Sequence, residues 1–532
     1  MVWPEVGTAP AGRRGSVRLP LEVLAAAVWM LAAAAMIALI WFDLSPPLAF
    51  NDDWMYAWSV RQFVAGHGLH VFPMSVALAL VQVVWGAIFS LGHADPRLLR
   101  LSIVPLVVLT AWCSHRLAQQ LGADRFWSAV AASTLLAMPL FMANATTFMT
   151  DNAYVGLVMA VAATSLAWIT RGQRRWICVG LLVLTPLQRQ FGLALIPAVT
   201  LGVLLFRRES WSRADSAALI AIWTLPAVVL TIGSLLTVSQ PLYPSTAADL
   251  SRLDLTHALA PLMPMLGLGL IPFAGALALR PRGSDRETAW SLAAVVLAVV
   301  GACGCLLDLA RFGMIFPGNV FTPLGFAPIL GGAKPAVFPG LIFQAVEIAA
   351  VVTFVMLLIV RRRWWTPSRI SAGGVLLILI AASQFLPLLA VQLFIYDRYF
   401  LPVIAPLVPL VAAIASGAAR QPAARGWAVG ALAAGLALYV AGEQDYVAWQ
   451  VARDQAARSA YHLTGPERVQ AGFEANAVYV ELPRYDQTGR ADLFAIVGPE
   501  NPAITLRFAP AADPRPGVSY SSLSAGRIVL DR

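Results

Sequence analysis

Apolar runs of membrane-spanning length recur along this chain from Leu21 to Val440, far more often than a soluble core needs. A transmembrane helix takes about 20 mostly apolar residues, because the hydrocarbon layer is about 30 Å thick and each residue rises about 1.5 Å. Composition agrees, with 59% hydrophobic and 12% charged residues, where soluble domains hold about 25% charged. The first run, Leu21–Phe42, is too long for a signal-peptide core and reads as an uncleaved anchor. The net charge of +9 is arginine placed between the runs, so it reports topology and not affinity for nucleic acid.

Positive charge marks the cytoplasmic side. Arg13, Arg14 and Arg18 place the N-terminus inside, and the short basic loop Arg171, Arg174, Arg175 belongs inside too. An even number of crossings must separate them, yet five apolar stretches intervene: Leu21–Phe42, Met74–Leu91, Leu98–Gln120, Phe126–Ala143 and Asn152–Thr170. Met74–Leu91 is the weakest, being short, preceded by Pro73 and interrupted by Gln82 and Gly86. It reads as an interfacial segment on the outer side with Trp85 as its headgroup anchor. Trp176–Phe206 must break at Pro186 and Gln188-Arg189-Gln190, which returns Arg207, Arg208 and Arg213 to the inside.

Seven further spans follow: Ser216–Val238, Ala258–Leu279, Ala289–Leu307, Gly340–Val360, Ser371–Ile395, Tyr399–Ala415 and Trp427–Val440. The expected fold is an all-α polytopic membrane bundle of about 13 transmembrane helices in the inner (plasma) membrane, with the C-terminus outside. Residues 1–20 form a cytoplasmic tail, 21–442 the transmembrane domain with an outer loop at 43–97, and 443–532 a small α/β extracytoplasmic domain. In the last, Val447–His462 reads as an amphipathic helix, and Ala477–Glu481, Leu493–Val497, Ile504–Phe508 and Arg527–Leu530 read as strands. The four cysteines all fall inside predicted spans and read as packing residues.

This topology collects polar residues at the outer mouth. Asn51-Asp52-Asp53-Trp54 follows the first span, Asp151 opens another, and Gln188-Arg189-Gln190 lies at a tight outer turn. Asp397-Arg398-Tyr399 lies between two spans, and the loop 308–338 adds Arg311 and Lys334, the only lysine of the chain. Adjacent acids in an apolar context repel unless a cation or metal compensates, which marks Asp52 and Asp53 as functional. For Arg398, a salt bridge to Asp397 or Asp308 that merely holds the loop is the structural alternative. His67 and His70 are candidate metal ligands together with Asp52, which makes a divalent ion a candidate cofactor; a solvated helix face is the other reading of that pair.

In order along the chain, Asn51-Asp52-Asp53-Trp54-Met55-Tyr56, Leu98-Leu99-Arg100-Leu101-Ser102, Thr150-Asp151, Arg189-Gln190 and Arg398-Tyr399-Phe400-Leu401-Pro402 resemble motifs of one family. It is the GT-C class of membrane glycosyltransferases, and within it the protein O-mannosyltransferase and aminoarabinose-transferase superfamily. Arg189-Gln190 stands where many members carry Thr-Lys-Gly. Ala471-Gly472-Phe473-Glu474 also resembles a stretch of uncharacterised relatives, but no role is assigned to it. The resemblance implies a GT-C bundle, a polyprenyl-phosphate sugar as donor, and a glycan, lipid or protein acceptor. It implies catalytic Asp52, Asp53 and Asp151, phosphate contacts from Arg189 and Arg398, and substrate contacts from Tyr56, Gln190 and Tyr399; Lys334 and Arg311, which the topology places on the same side, are further candidates for the phosphate.

The residue types suit such chemistry. A phosphodiester-linked sugar already has a good leaving group, so what is needed is a base for the acceptor hydroxyl and positive charge for the phosphate. Asp52 is the candidate base, with burial and Asp53 both acting to raise its affinity for a proton. Two other classes remain open: a transporter or flippase, which would place the polar groups near the bilayer midplane, and a membrane scaffold, which leaves the acidic pair unexplained.

Overall fold

The structure is a computed structural model. It describes residues 49–75, 77–90, 92, 94–237, 261–278, 320–326, 330–360, 371–391, 396–416, 421–491, 498–499, 501–522 and 524–531. The predicted spans Leu21–Phe42 and Ala289–Leu307, Arg311 and the predicted strand Leu493–Val497 lie outside these residues.

The chain is mostly helical. After α1 (Asp53–Val64) come α2 (Leu80–Ser90), α3 (Pro96–Leu101), α4 (Val104–Gln120), α5 (Arg125–Ala137), α6 (Pro139–Ala145) and α7 (Thr150–Arg171). Then follow α8 (Arg175–Gln188), α9 (Leu195–Phe206), α10 (Arg213–Leu236), α11 (Leu262–Leu270), α12 (Ala274–Ala278), α13 (Gly340–Val360), α14 (Ala372–Val391), α15 (Leu401–Ser416) and α16 (Pro422–Thr464). Among the described residues six helices are long and apolar enough to cross a membrane, or seven if α5 and α6 count as one bent span. That bend, of 63°, falls at Met138-Pro139, where proline supplies no N–H to continue the ladder. At its 11 residues α2 is only about 17 Å long, too short to cross.

The predicted break after Pro186 is present: α8 stops at Gln188, Arg189 is extended, and a 3₁₀ turn over Gln190–Ala194 leads into α9. At the opposite end of these helices, Asp215 accepts from Arg175 (3.0 Å), Arg207 (3.3 Å) and the Trp168 indole (2.7 Å). The two arginine-rich turns thus meet around one buried carboxylate. Gly172, at φ +68°, closes α7 there, its own N–H and that of Gln173 reaching back to Trp168 and Ala167.

The C-terminal region departs from expectation in two places. The expected domain boundary at 443 falls inside α16, a single helix of 43 residues and so about 65 Å long, twice what a bilayer core needs. Ala477–Glu481 forms no strand; it is a π-helical turn between α17 (Phe473–Asn476) and α18 (Leu482–Thr488). A short apolar run has no period that separates strand from helix, and here helical turns on both sides carry it along. The predicted strands Ile504–Phe508 and Arg527–Leu530 lie within β4 (Ile504–Pro510) and β6 (Ala525–Asp531). With β3 (Val469–Gln470) and β5 (Gly517–Ser521) they make a sheet of order β3-β4-β6-β5, β3 parallel to β4 and the other pairs antiparallel. A small hairpin, β1 (Phe321–Thr322) with β2 (Gly325–Phe326), precedes α13. The sheet packs on the C-terminal half of α16, whose Trp449 ring meets Phe508 of β4 edge-on at 5.2 Å.

Candidate active site

Asn51 adopts the left-handed conformation (φ +51°), which asparagine tolerates better than most residues. The resulting reversal makes Asp52 the N-cap of α1 and gives the two adjacent acids different partners. Asp53 is locked in place. Its Oδ1 accepts the Phe50 N–H (2.8 Å), and its Oδ2 accepts Arg100 Nε (3.1 Å) and Nη2 (3.0 Å). The Arg100 guanidinium lies 4.1 Å over the Phe50 ring, and both charged groups are buried. Burial pushes the Asp53 carboxyl up while Arg100 pulls it down. Asp53 is therefore no free like charge facing Asp52.

Asp52 keeps a fifth of its side chain exposed (20%, against 5% for Asp53) and accepts Arg398 Nη2 at 3.0 Å. Arg398 sits in the 3₁₀ turn Asp397–Phe400 that opens α15. It is 4% exposed, yet its Nε and Nη1 have no hydrogen-bond partner among the described residues. Its guanidinium lies 5.4 Å from the Tyr396 ring centre and 5.6 Å from that of Tyr399. Asp397 instead accepts backbone N–H groups, from Phe321 (2.8 Å), Val320 (3.0 Å) and Arg398 itself (2.8 Å). Arg398 is thus bound to Asp52 across the site, and Asp308 lies outside the described residues.

The second pair comes from α7 and α8. Asp151, in the first turn of α7, accepts Arg189 Nη1 at 2.8 Å, and its buried Oδ2 has no hydrogen-bond partner among the described residues. Arg189 caps α8, and its guanidinium lies 5.2 Å from the Tyr399 ring centre. One aromatic ring therefore has a guanidinium at cation–π distance from each of two arginines. The turn that presents Arg189 needs Gly192, where a Cβ would stand 2.5 Å from the backbone of Thr185 and Pro186. Beneath it, Gln188 donates to Gln82 (2.6 Å) and Gln82 to the Phe148 carbonyl (2.7 Å), which ties α2 to the start of α7. Tyr56, buried on α1, has its hydroxyl pushed up to about 12 by burial and by the charge of Asp52, so it stays protonated and able to donate.

The structure thus brings Asp52, Tyr56, Asp151, Arg189, Arg398 and Tyr399 together, and sets other predicted site residues apart. Lys334 is buried against Asp445 (2.6 Å) and forms no part of the arginine cluster. Gln190 is exposed on its 3₁₀ turn. His67 Nδ1 meets the Gln62 amide oxygen and His70 Nε2 the His67 carbonyl, and no group of three His, Cys, Asp or Glu among the described residues could hold a metal ion. The expected headgroup anchor Trp85 donates its indole N–H inward, to Ser102 O (2.8 Å).

Two participants escaped sequence reasoning. Arg100 stood within a family-like motif, and the buried acid beside it was the signal that it had a partner. Glu474 accepts the Asn51 N–H (3.0 Å) and an Arg453 N–H, and so braces the reversal from the far end of the chain. Beside Asp53 and Arg100 a cavity of about 470 Å³ opens, walled by Trp54, Leu99 and Phe148 on one side and by Val478, Leu482 and Pro483 on the other. The whole cluster lies at helix ends. Asp151 lies in the first turn and Arg171 at the end of α7, which puts about 30 Å between the site and the arginine-rich turns.

No protein-family model matches the chain, and no curated protein matches it. Among solved structures it is similar to the crystal structure of ArnT from Cupriavidus metallidurans bound to undecaprenyl phosphate, at 15% identity and a TM-score of 0.42, over 95% of this chain and 97% of that one. It is likewise similar to the apo state of the same protein, at 15% identity and a TM-score of 0.39, over 95% and 98%. Likeness at this distance does not transfer a reaction.

Proposed function

We propose that this chain transfers a sugar from a polyprenyl-phosphate donor to a hydroxyl acceptor at the outer mouth of its bundle. The observation that carries the reading is Arg398: a buried guanidinium at cation–π distance from two tyrosines, with Nε and Nη1 unpartnered among the described residues. Buried donors are almost always satisfied, and two open ones on a single guanidinium fit an oxyanion ligand. Phosphate is the match, since arginine contacts it through several fixed donors at once. Arg189, across the Tyr399 ring, is the second cation.

In the reaction the acceptor oxygen attacks the anomeric carbon as the bond from that carbon to the phosphate oxygen breaks. The proton of the acceptor hydroxyl passes to Asp52, and polyprenyl phosphate leaves as a monoester with one more negative charge. Arg398 and Arg189 meet that charge where it develops, which is the interaction that speeds the step. Displacement from the face opposite the phosphate inverts the anomeric configuration. Asp151 holds Arg189 in place, and Tyr56 has a hydroxyl to offer a donor oxygen. The cavity beside Asp53 is the acceptor side, and the acceptor is a glycan, lipid or protein that reaches the outer face of the inner membrane. The site's position at helix ends, away from their midpoints, favours transfer over transport.

Mass spectrometry of the lipid that copurifies with the protein tests the proposal. Wild type should carry a polyprenyl phosphate or its glycosyl ester, and Arg398→Ala should carry little. An absence of isoprenoid phosphate from well-folded wild type would count against the reading.

A further inference from the structure

The C-terminal half of α16 carries a buried stripe, Asp445, Trp449 and Arg453, at spacings of four that put all three on one helix face. Each charged member of the stripe starts a series of hydrogen bonds and backbone links that leads to one partner of the Asp52–Arg398 pair or to the residue beside it.

Asp445 lies on the Arg398 side. Its Oδ1 accepts the hydroxyls of Ser522 (2.8 Å) and Ser524 from the link between β5 and β6. Its Oδ2 accepts Lys334 Nζ at 2.6 Å. The same ammonium donates to the Leu324 carbonyl in the turn of the β1–β2 hairpin. The start of that hairpin, the N–H groups of Val320 and Phe321, is held by Asp397, the residue before Arg398. The segment around Lys334 is also bound to the sheet, through Ala333 N–H to Phe508 O (3.0 Å) and Phe508 N–H to Gly331 O (2.8 Å). Arg453 lies on the Asp52 side. It donates to Glu474, whose other oxygen accepts the Asn51 N–H at 3.0 Å, directly before Asp52.

We infer that the C-terminal half of α16 is a positioning element, in which Lys334–Asp445 and Arg453–Glu474 set the separation of Arg398 and Asp52. The inference rests on the phosphate-binding reading of Arg398 and gives the only lysine of the chain a role at a distance from the donor. Neither ion pair touches substrate. A helix is stiff along its axis, so two anchors eight residues apart hold their dependents at a fixed spacing, and small misplacement of a charged clamp is costly.

The test is the affinity of the full-length protein in nanodiscs for undecaprenyl phosphate, with fold checked by helical circular dichroism and monodisperse elution. Asp445→Asn and Glu474→Gln should each weaken binding about tenfold. The pair Ser522→Ala/Ser524→Ala, which leaves the ion pair intact, should weaken it about threefold and covers the case in which Asp445→Asn fails to fold. In an Arg398→Lys background, Asp445→Asn should change affinity by less than about twofold, because the two act through one contact. Tighter binding in Asp445→Asn would mean that released Lys334 grips phosphate itself, and full additivity with Arg398→Lys would mean that the pair only supports the fold. Either result overturns the inference while leaving Arg398 as the phosphate contact. Wild-type affinity in Arg398→Lys removes that contact and the inference with it.

Discussion

Replacing Arg398 by lysine separates a phosphate grip from a charge that merely holds a loop. The guanidinium offers Nε and Nη1 to a ligand and spends Nη2 on Asp52. A hydrogen bond to a charged group is worth about 1.5–3 kcal/mol. Lysine keeps the charge and can replace one contact as a point donor, but it loses the second and the guanidinium's place beside the Tyr396 and Tyr399 rings. The net loss is about 2 kcal/mol, which at about 1.4 kcal/mol per tenfold weakens undecaprenyl phosphate binding about thirtyfold. Calorimetric titration of the lipid into nanodisc-embedded protein reads this directly, with thermal unfolding as the control. Unchanged affinity in a lysine variant that melts like wild type would refute the phosphate role and turn attention to Arg189.

Two other expectations follow from the same geometry. Asp53→Asn removes the buried charge that Arg100 pairs with and should cost about 3–5 kcal/mol of stability, seen as a large fall in thermal unfolding temperature; a variant as stable as wild type would return Asp53 to the catalytic group. A topology reporter fused after Ala94, and another after Arg532, should each signal an extracytoplasmic location; a cytoplasmic signal at Ala94 would mean that Met74–Leu91 crosses the membrane.

The parts of this molecule legible in sequence were those set by solvent. Apolar length located the helices, and charge counting required the break that the structure places at Arg189, just past Pro186 and Gln188 at the end of α8. What sequence could not supply was partnership. Gln82 read as a flaw in an apolar run; it is a buried bond that joins α2 to α7. Lys334 read as a cation awaiting phosphate, and it is spent on Asp445, 111 positions away. Asp52 and Asp53 read as one repelling pair, although each has its own arginine from a different part of the chain. Periodicity likewise failed at Ala477–Glu481, where β-branched residues sit in a helical run, and the change of composition at residue 443 falls within α16. Long-range ion pairs leave no local pattern, so they appear only when the fold brings them together.

The central claim is that Asp52 takes the acceptor proton at a site whose arginines hold the donor phosphate. Asp52→Asn keeps the shape of the side chain and removes its capacity to accept a proton. With the glycosyl lipid that copurifies with wild type supplied as donor, release of polyprenyl phosphate should fall about a hundredfold or more, while affinity for undecaprenyl phosphate stays within about threefold of wild type. Near-normal release by a folded Asp52→Asn protein would contradict the account.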